Sequence, residues 1–376
     1  MSVKRRTIST PVPVDVRARE AVQSLASYQP GKPIEDVQRE LGLRSVVKLA
    51  SNENALGPSP KAVAALRTAA ASLHRYPDST CRGLREKLSK TLRITPASLI
   101  FGNGSDELIV LALRAFVDPG DEVVVASPTF LIYELQANAC GASVSVVPLR
   151  DYRYDLAAMK AAVTAHTKLV FIANPDNPTG SYVTKKELDA FLRGLPAQTL
   201  VFMDEAYYEF VDASDYPQTL GQAKDRPLIV TRTFSKAYGL AGLRIGYGVA
   251  QPPIIAAMEA VREPFNVNSL AQAAALAALE DTAFLARTRA MVRAGRRYLT
   301  GELDRLKLRY VPSAANFILV QLGPRAPEIA QALLSKGVIV REMSGWKLSG
   351  CLRVTIGTAA ENKTFIQTLR KSLVGR

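Results

Sequence analysis

Cysteine is scarce in this chain, with 3 among 376 residues. Cys81, Cys140 and Cys351 lie far apart and form no C-x-x-C pair, which argues against a disulfide framework or a thiolate zinc site and points to a reducing, cytoplasmic setting. Histidine is scarcer still. His74 and His166 each lack a second ligand at metal spacing, so both read as surface or helix-packing residues and no metal is expected. Long apolar runs are missing as well: the longest, Leu108 to Val117, is broken by Arg114 and falls far short of the roughly 18 to 20 residues that span a bilayer. Lys4, Arg5 and Arg6 are followed by Pro11, Pro13, Asp15, Arg17 and Arg19 instead of an apolar core, so neither a signal peptide nor a membrane anchor is expected. Acidic side chains are in deficit, 34 against 48 basic ones, for a formal net charge of +14. That excess suits anionic partners, either nucleic acid, an anionic membrane surface, or small phosphorylated and carboxylated molecules. The basic residues are dispersed, and no helix-turn-helix fits before residue 50, so a nucleic-acid-binding or regulatory protein is the lesser reading and small anions the better one.

What is present is a globular composition, 48% hydrophobic and 22% charged, with enough apolar surface to offset the entropy of ordering. The length exceeds a single core of about 250 to 300 residues, which predicts two or three packing units. From about residue 99 to 250, β-branched runs alternate with helical patterns: Val123 to Val125, Val144 to Val147, Leu169 to Ile172, Leu200 to Met203, Leu228 to Thr231 and Ile245 to Val249. This is the signature of an α/β unit with a mainly parallel sheet covered by helices on both faces. No long helix separates the last two runs, so one of them is expected to be antiparallel. After residue 266 the texture changes to longer helices, near 268 to 280 and 282 to 306, and then to strands at Phe317 to Gln321, Val338 to Arg341 and Leu352 to Thr355, closed by a helix from about 361. These patterns divide the chain into an N-terminal arm with the start of a small domain (1–52), a large domain (53–265) and a smaller α+β domain (266–376).

The chemistry is concentrated just after the strand runs, where sites of such folds gather. Phe234-Ser235-Lys236-Ala237-Tyr238-Gly239 leads to Arg244 eight positions beyond the lysine. A lysine in a closed, partly apolar site next to other cations has a lowered pKa and is neutral often enough to attack an aldehyde. Standing alone, this segment would read as a solvated lysine in a glycine-rich loop. It is joined by Asn174-Pro175-Asp176-Asn177-Pro178-Thr179-Gly180 and by Met203-Asp204-Glu205-Ala206-Tyr207. Asp204 follows Asn177 by 27 positions, and Lys236 follows Asp204 by 32.

This ordered set resembles the fold-type I, pyridoxal-phosphate-dependent aminotransferases, and within them the histidinol-phosphate aminotransferase family, over nearly the whole chain from about Tyr28. The resemblance implies pyridoxal 5'-phosphate bound covalently to Lys236, Asp204 at its pyridine nitrogen, Asn177 and Tyr207 at its phenolic oxygen, and Phe130 stacked on its ring. Gly104, Ser105 and Asp106 open a helix expected at Glu107 to Val117, and their amides make a phosphate site at a helix N-terminus. Thr233, Ser235 and Arg244 would add donors. Arg353 matches the arginine that grips a substrate carboxylate, Arg341 a second anion contact, and Tyr28 the N-terminal tyrosine that closes over a substrate phosphate.

One departure stands out: in Ser51-Asn52-Glu53-Asn54-Ala55-Leu56-Gly57, many relatives carry tyrosine where Leu56 stands. The implied activity is amino transfer between L-histidinol phosphate and 2-oxoglutarate, a step of histidine biosynthesis, in a homodimer with shared active sites. An aromatic (Phe/Tyr) amino-acid aminotransferase and a decarboxylase of a phosphorylated amino acid fit the same scaffold. Retention of Tyr28, Arg341 and Arg353 together favours the phosphorylated amino alcohol.

Overall fold

The computed structural model describes residues 16–23, 25 and 31–374. Among these residues, twelve strands form two sheets. The larger sheet contains β2 (Leu99–Gly102), β3 (Glu122–Ser127), β4 (Ser143–Pro148), β5 (Thr167–Ala173), β6 (Leu200–Asp204), β7 (Leu228–Thr233) and β8 (Gly246–Val249), in the order β2-β8-β7-β6-β5-β3-β4. Strands β3 to β7 run parallel, and β8 is antiparallel to both of its neighbours, β7 and β2, as the missing helix between the last two runs predicts. The smaller sheet is built from β1 (Val47–Leu49), β9 (Arg309–Val311), β10 (Phe317–Gln321), β11 (Val338–Glu342) and β12 (Cys351–Thr355), ordered β1-β11-β12-β10-β9.

The central strands of the large sheet are covered on both faces, which is why they read as continuous Val, Ile, Leu and Phe runs with no polar alternation. Val123 to Val125, Leu169 to Ile172 and Leu228 to Val230 are all fully buried, with Leu108, Leu111 and Tyr133 packed in the same core. A second core joins the small sheet to the helices Thr282–Arg305 and Ala359–Val374 through Val292, Leu299, Phe317 and Phe365. The helix Ser269–Leu279 lies beyond the expected boundary at 266, yet its alanines pack with Ala62, Phe101 and Tyr247 on the large sheet's edge. β1 belongs to the small unit, since it pairs parallel with β11, and Val37 of the helix before it packs with Ile339 of β11.

Among the described residues no helix is long and apolar enough to cross a membrane, and no cluster of three or more His, Cys, Asp or Glu could hold a metal ion.

Beneath the carboxyl end of the sheet, Glu205 and Arg232 form a buried ion pair. Arg232 donates from Nε and Nη2 to one carboxylate oxygen at 2.9 and 2.8 Å, and its guanidinium lies 3.3 Å from the Tyr208 ring centroid. Thr219 donates its hydroxyl to the same carboxylate. Removing one partner would strand the other charge where water cannot reach it. Arg232→Met should therefore lower unfolding free energy by about 3 to 5 kcal/mol in urea titrations, and adding Glu205→Gln should recover much of the loss.

Candidate active site

The parallel strands deliver their following loops to one edge. β3 leads to Phe130, β5 to Asn174–Gly180, β6 ends on Asp204, and β7 leads to Ser235 and Lys236. Because β8 is antiparallel, its start lies at that same edge, and this puts Arg244 beside the other groups. The outcome is a cleft of about 290 Å³ between the two sheets. It is lined by Lys236, Asp204, Tyr207, Asn177, Phe130, Ser105, Asp106, Thr233, Ser235, Arg244, Arg341 and Arg353. Of the residues picked out in the sequence, Tyr28 lies outside the described residues, and Gly104 stands just behind the lining.

Gly104 is the N-cap of the helix Ser105–Phe116 and has φ of +79°. The helix thus starts two residues before the expected Glu107, because the glycine turns the chain and leaves Ser105 and Asp106 in the first turn with their amides free of intrahelical partners. A Cβ at Gly104 would come within 2.5 Å of Arg244 Nη2. Arg244 also donates to Asp106 at 3.2 Å and to Ser235 Oγ at 3.5 Å. A helix N-terminus, two hydroxyl-bearing loop residues and a guanidinium here surround one small space, a set of donors suited to an anion.

At the cleft's centre Lys236 donates to the Ser51 carbonyl at 3.2 Å, and its Nζ lies 5.8 Å from the Tyr207 ring centroid. Burial, with the Arg353 charge second, lowers its pKa to about 8. Asp204 is pushed the opposite way, up to about 6, by burial, although a hydrogen bond from Tyr133 pulls it back. Tyr133 donates to Asp204 Oδ2 at 2.7 Å, and the Ala206 amide donates to Oδ1 at 3.1 Å. Burial also raises the Tyr207 phenol to about 12, and its oxygen accepts from Asn52 Nδ2 at 2.9 Å.

The small sheet contributes the far wall. Arg341 on β11 and Arg353 on β12 are direct register partners. Arg353 donates to the Ala50 carbonyl at 2.9 Å and to Asn177 Oδ1, so one guanidinium touches the strand-leaving segment of the small unit and the Asn177 loop of the large one. Leu56 is half-buried, its amide donating to Asn54 Oδ1 at 3.0 Å.

Four residues of this arrangement escaped the sequence reading. Tyr133 sits on an ordinary-looking amphipathic helix. Ser51 and Asn52 enter the cleft from a strand of only three residues, and Asp176 is buried beside Asn177, where it accepts from Thr179 Oγ1 at 2.7 Å. An Asn with a neighbouring Tyr, or two facing hydroxyls, leaves no linear spacing to detect.

A sequence profile of the family described as aminotransferase class I and II matches residues 44–369. The chain is 50% identical over 365 residues to the histidinol-phosphate aminotransferase of Moorella thermoacetica, covering 96% of this chain and 95% of that protein. It is 47% identical over 356 residues to the histidinol-phosphate aminotransferase of Symbiobacterium thermophilum, covering 94% and 98%. The crystal structure of histidinol-phosphate aminotransferase from Sinorhizobium meliloti in complex with pyridoxal-5'-phosphate superposes with a TM-score of 0.87 at 32% identity, over 95% of this chain and 97% of that one.

The raised pKa of Asp204 carries a stability cost. The folded protein holds this proton up to about pH 6, whereas the unfolded chain releases it near 3.8, so ligand-free protein loses stability as pH rises through that window. Asp204→Asn should therefore be more stable than wild type at pH 7.5, by on the order of 2 kcal/mol, with the gap closing as pH falls toward 4. Tyr133→Phe should move the other way at pH 7.5, losing about 1 to 2 kcal/mol with the hydrogen bond to a charged acceptor. Urea unfolding of ligand-free protein at both pH values checks the pair, and an Asp204→Asn protein less stable than wild type at pH 7.5 would contradict the assignment.

Proposed function

The chain belongs to the class I and II aminotransferases and is a pyridoxal-phosphate-dependent aminotransferase, and we propose that its substrates are L-histidinol phosphate and 2-oxoglutarate, which places it in histidine biosynthesis. The observation that carries this reading is the direct pairing of Arg341 with Arg353 at the mouth of the cleft that holds Lys236. Two arginines directly opposite each other on neighbouring strands repel each other and favour a multiply charged anion. A phosphate close to the reacting carbon supplies that charge.

The cleft fits the cofactor. Gly104 carries no Cβ, which would strike Arg244 Nη2, so its backbone and that guanidinium come close enough to share one anion, and Asp204 is a buried carboxylate that gains from a cationic ring nitrogen. In this reading Gly104, Ser105, Asp106, Thr233, Ser235 and Arg244 hold the phosphate, Asn177 and Tyr207 the phenolic oxygen, Phe130 the ring face, and Lys236 the aldehyde carbon. Bound there, pyridoxal phosphate supplies an electron sink for charge developing at the donor's α-carbon. Lys236, whose amine is neutral at a lower pH than an ordinary lysine's, moves the proton at that carbon. Arg353 holds the anion of each substrate in turn, and Arg341 adds the second fork that the phosphate needs. The Arg353 contact with Asn177 links the grip on the substrate to the loop that orients the cofactor.

A homodimer and a cytoplasmic location belong to the same proposal. Leu73, Tyr76 and Phe265 are exposed, the two rings stacked at 4.7 Å, an apolar surface that a second copy would cover. The cysteines Cys81, Cys140 and Cys351 are free thiols, in keeping with a reducing compartment.

A donor panel assayed with 2-oxoglutarate tests the substrate. Wild type should turn over histidinol phosphate with the highest kcat/KM, and a tenfold preference for phenylalanine or tyrosine would replace it with an aromatic amino-acid aminotransferase. Lys236→Ala should abolish turnover, and borohydride reduction of the wild type followed by peptide mapping should place the pyridoxyl group on Lys236 alone. Arg341→Gln should cost about ten- to a hundredfold in kcat/KM for histidinol phosphate and less for glutamate, whereas Arg353→Gln should impair both half-reactions. Solution mass at micromolar concentration should be that of two chains.

A further inference from the structure

Trp346 is the chain's sole tryptophan. It lies on the short turn Ser344–Trp346, between β11, which carries Arg341, and β12, which carries Arg353. Its side chain is buried, yet it borders the cleft beside both arginines. The guanidinium carbon of Arg353 is 5.5 Å from the Trp346 ring centroid and 5.4 Å from that of Phe317 on β10. Trp346 also meets Phe130 across the gap between the two units, with centroids 6.3 Å apart and planes inclined by 31°. Around it Met343, Leu348 and Cys351 form a small apolar cluster, against which Phe130, Leu131 and Tyr152 of the large unit pack.

An arginine at the end of a flexible stem offers a poor grip unless its fork is already oriented when the anion arrives. Two hydrogen bonds, to Ala50 and Asn177, fix part of the guanidinium. The Trp346 and Phe317 rings flank it further, and of the two the indole attracts a cation more strongly. We propose that Trp346 is a positioning residue that locks the Arg353 fork to Phe130, so that the substrate anion and the face of the cofactor ring are held in one fixed relation. This rests on the reading of Arg353 as the anion fork and of Phe130 as the ring-stacking residue. It assigns to an apparent core residue the control of substrate affinity.

The test pairs Trp346→Leu, which fills space without attracting a cation, with Trp346→Phe, which keeps an aromatic face. In the holoenzyme, Trp346→Leu should raise KM for both histidinol phosphate and glutamate by about two- to thirtyfold, the range of one cation–π contact, with kcat and cofactor absorbance nearly unchanged. Trp346→Phe should recover most of that affinity. Equal KM values in wild type and Trp346→Leu would overturn the proposal. So would a common fall in kcat and cofactor content in both variants, which is the mark of a space-filling role.

A second measurement needs no variant at position 346. In the holoenzyme, whose cofactor-phosphate subsite is filled, the emission of the sole tryptophan should change on saturation with inorganic phosphate, and Arg353→Gln should abolish the change. Emission indifferent to phosphate would overturn the proposal. Wild type that fails to use histidinol phosphate while its emission still responds to phosphate through Arg353 would instead refute the substrate reading and leave the role of Trp346 standing.

Discussion

Asp204 is an acid kept where water does not solvate it, and the remainder of the cleft is arranged around that fact. Its carboxylate ends a fully buried strand and is steadied by one phenol and one amide. A charge so placed is costly until something positive faces it. The amine at the other side of the cleft is under the inverse pressure, since burial and a neighbouring guanidinium both favour its neutral form. Acid and amine thus both have pKa values shifted toward neutrality, the usual condition of groups that perform chemistry.

The two units meet over this cleft through a few polar ties. Asn52 reaches Tyr207, Arg353 reaches Asn177, and Lys236 reaches the Ser51 carbonyl. Each tie joins a residue of the small sheet or its leading segment to a loop at the carboxyl edge of the large sheet. A shift of one unit against the other would break these ties together, because each of them crosses the cleft.

Much of this was legible in the sequence. Buried parallel strands announce themselves as β-branched runs, and the residues immediately after them, Asn177, Asp204 and Lys236, are polar or small where the preceding runs are apolar. The antiparallel β8 could be inferred from a missing helix. What stayed hidden depends on distance along the chain. β1 and β9 have three residues each, too few to show a period, and so the entry of Ser51 and Asn52 into the cleft left no trace. Tyr133 and Trp346 stand in no recognisable motif; both are buried, and only the fold shows what their polar or cleft-facing edges touch. The expected division at 266 followed a change in helix length, while the alanines of the next helix pack on the large unit.

The small unit is discontinuous, and this bears on how the molecule is made. Asn52 donates its amide to Thr355, a partner 303 positions further on, and β1 waits for β11 to complete its sheet. During synthesis the large sheet, whose strands are contiguous in sequence, can close first, as domains generally fold in units from the N-terminus onward. The leading segment must remain without its sheet partners until almost the entire chain has left the ribosome. The half of the cleft that carries Arg353 is consequently the last part to form, and a chain released early lacks Arg353 together with the strand that would anchor Ala50 and Asn52.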